Sequence, residues 1–269
     1  MTERPPADRP FRPAFLPDTL SQPTPEFAWR GAGRHGGPAN AVTPLLEKLD
    51  MLTNCGQITL CAGVLAWTAA RLEGSTALAA SALELAQAAF AFQIDGRYVD
   101  RDAGDVRKPV DTPPAQSALM EVMSYQRKAL NREKYLESYY APIMQTFHAS
   151  HITQRVMGPE HRPAFVAWFE QAIERVQRFA RRPAEPFRQK REFPTYEAYL
   201  AFIAPHRGPA LPPELLDPAV PYAAQDREAL VAAFVATLDW RRNRYLRAPD
   251  AMRALGFVGA PYPHLKDPA

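Results

Sequence analysis

The sequence predicts an all-α protein, an irregular multi-helix bundle with an extended proline-rich N-terminal arm. Three observations carry that prediction. Residues 51–70 run for twenty positions without one formal charge. A second, alanine-rich stretch over 77–92 follows after a short break. No segment shows the strict alternation of a half-buried strand, and no fixed-period repeat is present. The expected organisation is an arm over 1–40 and a single helical domain over 41–269, with a hinge candidate at 205–221.

Each element has its own local reason. Twenty-eight prolines are about twice average usage, and the arm holds Pro5, Pro6, Pro10, Pro13, Pro17, Pro23, Pro25 and Pro38. These forbid regular helix. Phe11, Phe15, Leu16, Leu20, Phe27 and Trp29 are too apolar for a solvated tail, so the part around residues 11–29 is expected to lie extended against the body with its aromatics in grooves. The first helix begins with Thr43 as N-cap and Pro44 at the first helical position, where a missing N–H does no harm. It is expected to run to residue 72 and end at Gly74.

The uncharged stretch is long enough to cross a bilayer, which needs about twenty apolar residues. Its chemistry argues otherwise. Thr53, Asn54, Gln57, Thr59 and Thr68 interrupt it, and Lys48, Asp50 and Arg71 flank it without an aromatic belt. Gly56, Thr59, Gly63, Ala66 and Ala70 form a stripe of small residues that lets a neighbouring helix approach. A core helix is expected, and no membrane partner.

Ser75 or Thr76 caps the second helix, which ends near Asp95-Gly96. The short connection makes the two helices antiparallel neighbours. Residues 98–114 read as a polar loop dense in Asp and Arg. A helix over 115–140 follows, and Pro142 kinks or restarts it. The next reaches Met157 before Gly158-Pro159. Pro163 opens the cleanest amphipathic helix, with Phe165, Trp168, Phe169, Ala172, Ile173, Val176 and Phe179 at three- and four-residue spacing. A basic linker spans 183–194, a short helix 195–204 and a proline-rich connection 205–221. A last long helix is expected over 225–247, and a short one over 250–255 closed by Gly256.

Composition bounds the function. The hydrophobic fraction of 46% and charged fraction of 23% are those of an ordinary globular protein, and a net charge of +3 does not by itself call for a polyanion. Cys55 and Cys61 are six apart, about 240° around a helix axis, so they cannot face each other. They read as buried thiols of a reducing compartment. The N-terminus is polar, without an apolar stretch or cleavage site, so a cytoplasmic location is expected.

Four constellations could carry chemistry. His148 and His151 share a helix face and His161 follows closely, a spacing that metal sites use. There is no HExxH and no cysteine pair. Glu84 sits in the apolar second helix, where it either pairs with an arginine or serves as an acid or base. Asp95, Asp100, Asp102, Asp105 and Asp111 lie in or beside the polar loop, but Gly104 falls where an EF-hand needs an oxygen ligand, and no closing Glu follows. Arg175, Arg178, Arg181, Arg182, Arg188, Lys190 and Arg191 make one basic cluster. Arg241, Arg242, Arg244, Arg247 and Arg253 make a second, beside Trp240 and Tyr245. Both are expected at helix C-termini, where cations oppose the macrodipole. Such arginines can also grip phosphate.

The leading expectation is a protein-binding, inhibitory protein that uses Asp100, Asp102, Asp105, Arg241, Arg242, Arg244 and Tyr245, without catalytic residues or cofactor. In general style such an all-α chain is similar to the immunity proteins of polymorphic toxin systems. That resemblance implies a cognate toxin as partner, its active site occluded sterically. One alternative is a metal-dependent enzyme built on His148, His151 and His161. Another is nucleic-acid binding through the arginine clusters.

Overall fold

A computed structural model describes residues 11–22, 26–29, 31, 43–103, 111–131, 142–185 and 188–265. Among these residues the regular structure is helical: α1 (Pro44–Asp50), α2 (Asn54–Arg71), α3 (Leu78–Ile94), α4 (Pro114–Ala129), α5 (Ile143–Phe179), α6 (Tyr196–Arg207), α7 (Arg227–Val235) and α8 (Pro249–Ala254). Their only pairings of extended backbone are two isolated bridges, Leu52 with Arg181 and Val99 with Leu246. The all-α architecture holds.

The uncharged stretch forms the centre of the molecule. Every residue of α2 is buried, from Asn54 to Arg71. A helix apolar on all sides has to be surrounded, and α3, α4, α5 and the 213–216 turn pack around it. The small-residue stripe allows the closest of these contacts. A Cβ on Gly63 would stand 2.7 Å from Leu216 Cδ1 and 2.8 Å from Trp168 Cη2. One on Gly56 would meet Val176 Cγ1 at 2.8 Å. Thus at both glycines the stripe faces α5, and at Gly63 the 213–216 turn as well. No helix among the described residues is long and apolar enough to cross a membrane.

The expected helix over 43–72 is two helices. Thr43 caps α1 as predicted, accepting from the Leu46 N–H. The chain then breaks at residues 51–53, where the Thr53 N–H donates to the Ala180 carbonyl and Met51 accepts from the Arg182 N–H. The Thr53 hydroxyl caps α2 by accepting from the Gly56 N–H. A threonine that satisfies its own helix start competes with helix continuation, and here it wins.

Other boundaries moved for equally local reasons. Helix α5 breaks at Gly158, which adopts φ 69° and ψ 178°. The helix restarts at Pro159, four residues before the Pro163 expected to open it. Helix α4 ends at Ala129, and residues 132–140 of the helix expected there lie outside the described residues. Helix α6 runs past 204 to Arg207 and stops at Gly208, whose φ is +73°.

The last long helix expected over 225–247 is the largest correction. Helix α7 covers only Arg227–Val235. Beyond it Asp239 accepts from the Arg241 N–H and Asn243 Oδ1 accepts from the Tyr245 N–H. Side-chain bonds to the neighbouring backbone replace the helical ladder with turns.

Residues 11–22 of the arm lie against the body, as a run of turns rather than extended. Pro13 and Pro17 each open one, accepting from the N–H groups of Leu16 and Leu20. Leu16 and Leu20 are buried. Phe15 stacks on Trp168 at 5.2 Å, and Phe11 packs against Phe90 and Phe234. The Arg71 guanidinium, buried at the end of α2, donates to the Leu20 carbonyl and lies 3.4 Å from Glu160. The hinge candidate is likewise packed along much of its length. Leu211, Leu215 and Leu216 are buried, and the Trp168 indole N–H donates to the Leu216 carbonyl.

Candidate functional site: two arginine-rich surfaces

The first surface joins segments far apart in sequence. The Asp100 N–H donates to the Tyr245 carbonyl, and the Arg247 N–H donates to the Tyr98 carbonyl. These bonds flank the Val99–Leu246 bridge and bring the start of the acidic loop beside the second arginine cluster. Asn243 ties the same segment to α3, donating to the Glu84 carbonyl and to Gln87 Oε1. Two buried tyrosines complete the clamp. Tyr98 donates to the Pro261 carbonyl, and Tyr262 to the Arg247 carbonyl. Burial raises both phenols, Tyr98 to about 12.

The expected partner-binding residues fare differently there. Tyr245 is corrected to a core residue: it is 0% exposed, its hydroxyl 3.0 Å from Ser81 Oγ. It offers no face to a partner. Arg241 reaches Asp239 at 3.0 Å, and Arg242 the same carboxylate at 3.8 Å. Arg244 binds Glu84 at 3.0 Å. Arg247 lies 3.9 Å from Asp100 and Arg253 2.5 Å from Asp250. Asp102 sits 3.7 Å from Arg101. Asp105 lies outside the described residues. Each of the cluster's five arginines has a carboxylate of the chain within ion-pair distance, Arg241 and Arg242 sharing Asp239, and Glu84 is an ion-pair partner. None of these arginines is at the C-terminus of a long helix, because that helix stops at Val235.

The histidines do not converge. His148 stacks on Tyr125 at 5.5 Å, and His151 meets Phe147 edge-on at 4.6 Å. Burial, then the nearby His148, holds the His151 imidazole below its ordinary value. His161 lies beyond the Gly158 break, its Nε2 2.7 Å from the Gln22 carbonyl, where it fastens the arm. Among the described residues no three His, Cys, Asp or Glu side chains are placed to hold a metal. Cys61 and Cys55 are buried and unpaired with each other, and burial pushes the Cys61 thiol up to about 12.

The second surface was only half legible. It starts at the end of α5 and continues through 188–206. Arg182 pairs with Asp50 at 2.7 Å, and Arg188 lies 3.9 Å from Glu192. Arg175 donates to the carbonyls of Leu215 and Val220. Arg178, Arg181, Lys190 and Arg191 differ: no carboxylate of the described residues lies within ion-pair distance of them.

Rings run through and beneath this surface, Tyr199 and His206 being buried. His206 lies 4.8 Å from Phe202, Phe202 5.0 Å from Phe193, and Phe193 5.6 Å from Tyr199. Arg188 sits over Phe193 and Lys190 over Tyr196, each at 4.4 Å. Sequence reasoning took the arginines and the tyrosines as separate features. The signal was there in Tyr196, Tyr199, Phe202 and His206, spaced three and four apart, which places them along one helix face.

No protein-family model, curated protein or solved structure matches this chain.

Proposed function

We propose that this chain is a protein-binding protein that acts by occlusion. The observation that carries the reading is the surface at the end of α5 and along 188–206, where Arg178, Arg181, Lys190 and Arg191 lack carboxylate partners among the described residues and where Lys190 and the Glu192-paired Arg188 lie over aromatic rings. Aromatic and arginine side chains are enriched at protein interfaces, and unneutralised charge steers a complementary partner. Tyr199, Ile203 and His206 anchor α6 in the fold, so that part of the surface is presented with little ordering cost on association.

In its finer form the proposal is an immunity-type protein whose partner is a cognate toxin. A basic inhibitor suits a toxin whose active-site rim is acidic, and the mechanism is steric blockade with charge speeding encounter. Pull-down from the native cell tests the broad reading, with wild type beside the R181E/R191E variant. The expected result is a stoichiometric protein captured by wild type and lost with the variant. Equal recovery with both, or no stoichiometric protein with either, contradicts it. Protection of cells that express the captured protein tests the toxin form.

A further inference from the structure

We infer that the basic surface receives an acidic polypeptide segment, and that the cleft at its α5 end takes one of that segment's carboxylate side chains. This rests on the protein-binding reading above and adds the chemistry of the partner.

The cleft has a volume of about 230 Å³, with Met51, Arg181, Arg182, Glu185 and His206 among its lining. Small-molecule sites run to roughly 300–1,000 Å³, so this one suits a single side chain better than a cofactor. Two guanidiniums line it. Arg182 is engaged by Asp50, whereas the Arg181 guanidinium has the Met51 sulfur at 3.9 Å and no carboxylate of the described residues. A carboxylate entering here would meet Arg181 as a charge-assisted donor. Glu185, in the same lining as Arg181, works against a second acid at the same point, which favours a segment whose acids are spaced apart.

From His206 the ring run leads to Phe193, and Arg188 and Lys190 lie on rings of that group. This arrangement discriminates between two anionic partners. Single-stranded nucleic acid binds by stacking bases on open aromatic faces. Here a cation already lies on Phe193 and another on Tyr196, the exposed ring of the group at 40%. Stacking would have to displace them. Carboxylates need no ring face, and they bind the cations where those already stand. Of the acids on this stretch, Glu192 is exposed but occupied locally, accepting from the Gln189 N–H and lying 3.9 Å from Arg188. Arg191 is exposed and has no carboxylate of the described residues within ion-pair distance.

Fluorescence anisotropy on the full chain tests the inference. The probe is a labelled alternating Glu-Ser peptide, with a Gln-Ser peptide as neutral control and oligothymidylate of equal charge as competitor. The expected result is binding of the acidic peptide alone, weakened about tenfold by R181E/R191E and unchanged by R241Q/R244Q. All four arginines are exposed, and circular dichroism confirms that each variant is folded. Absence of binding, or indifference to R181E/R191E, overturns the inference. So does tighter binding of oligothymidylate, which would assign the surface to nucleic acid. If a native partner is captured while the Glu-Ser peptide fails, the inference falls and the protein-binding reading stands.

Discussion

Residues 239–253 and 178–191 are both rich in arginine, and in sequence they look interchangeable. In the folded chain the first stretch meets Asp239, Glu84, Asp100 and Asp250, and every one of its arginines has a carboxylate. The second meets Asp50 and Glu192, which leave Arg178, Arg181, Lys190 and Arg191 without one among the described residues. The difference is partly local, because Asp239 and Asp250 lie within the first stretch, and partly a matter of what distant segments supply. Asp100 comes from the loop after α3 and Glu84 from α3 itself, 160 positions before the Arg244 it binds. A run of arginines is a positive surface only where the fold brings no acid to it.

If residues 239–253 act as a clamp, they should fail like a core. Tyr245→Ala is expected to cause the largest loss, about 3–4 kcal/mol in urea unfolding, since it empties a fully buried aromatic site. Wild-type stability in that variant would return Tyr245 to the surface role first expected of it. Asn243→Ala should follow at about 2 kcal/mol. It leaves the Tyr245 N–H without its acceptor and removes the bonds to Gln87 and the Glu84 carbonyl, and hydrogen exchange of Tyr245 should accelerate. Glu84→Gln should be smaller, about 1 kcal/mol, because the Arg244 pair is partly exposed.

Legibility in the sequence followed the range of the interaction. The α2 core, the Thr43–Pro44 start and the Gly158-Pro159 break rest on neighbouring residues, so pattern reading found them. The stop at Val235 was missed because Asp239 and Asn243 read as ordinary polar helix positions until their side chains are seen bonded to backbone. The break at 51–53 needed knowledge that 180–182 would pair there. Among the site residues, Arg241, Arg242 and Arg244 are exposed, as charged side chains usually are. Asp239, the partner of Arg241 and Arg242, is a near neighbour in sequence, whereas the pairing of Arg244 with Glu84 and the burial of Tyr245 against Ser81 depend on contacts with α3 that no local pattern encodes.

A histidine outside both surfaces provides a pH test of the core beside them. The His151 imidazole is held below its ordinary value of 6.5, so the unfolded chain binds the proton more readily than the native one. Its neutral form contributes stability that is fully present above that value and is lost as pH falls through the lower folded one. His151→Phe should flatten this part of the stability–pH curve, read from urea midpoints. An unchanged slope would mean that another group titrates there.

The most direct measurement compares two matched variants, R241Q/R244Q and R181Q/R191Q, by urea unfolding at low salt. The first removes cations that face carboxylates, so it should lose about 1–2 kcal/mol. The second removes cations that face none, so its stability should stay within about 0.5 kcal/mol of wild type or rise. Equal losses in both, or a larger loss for R181Q/R191Q, would contradict the distinction between a neutralised clamp and an open basic surface.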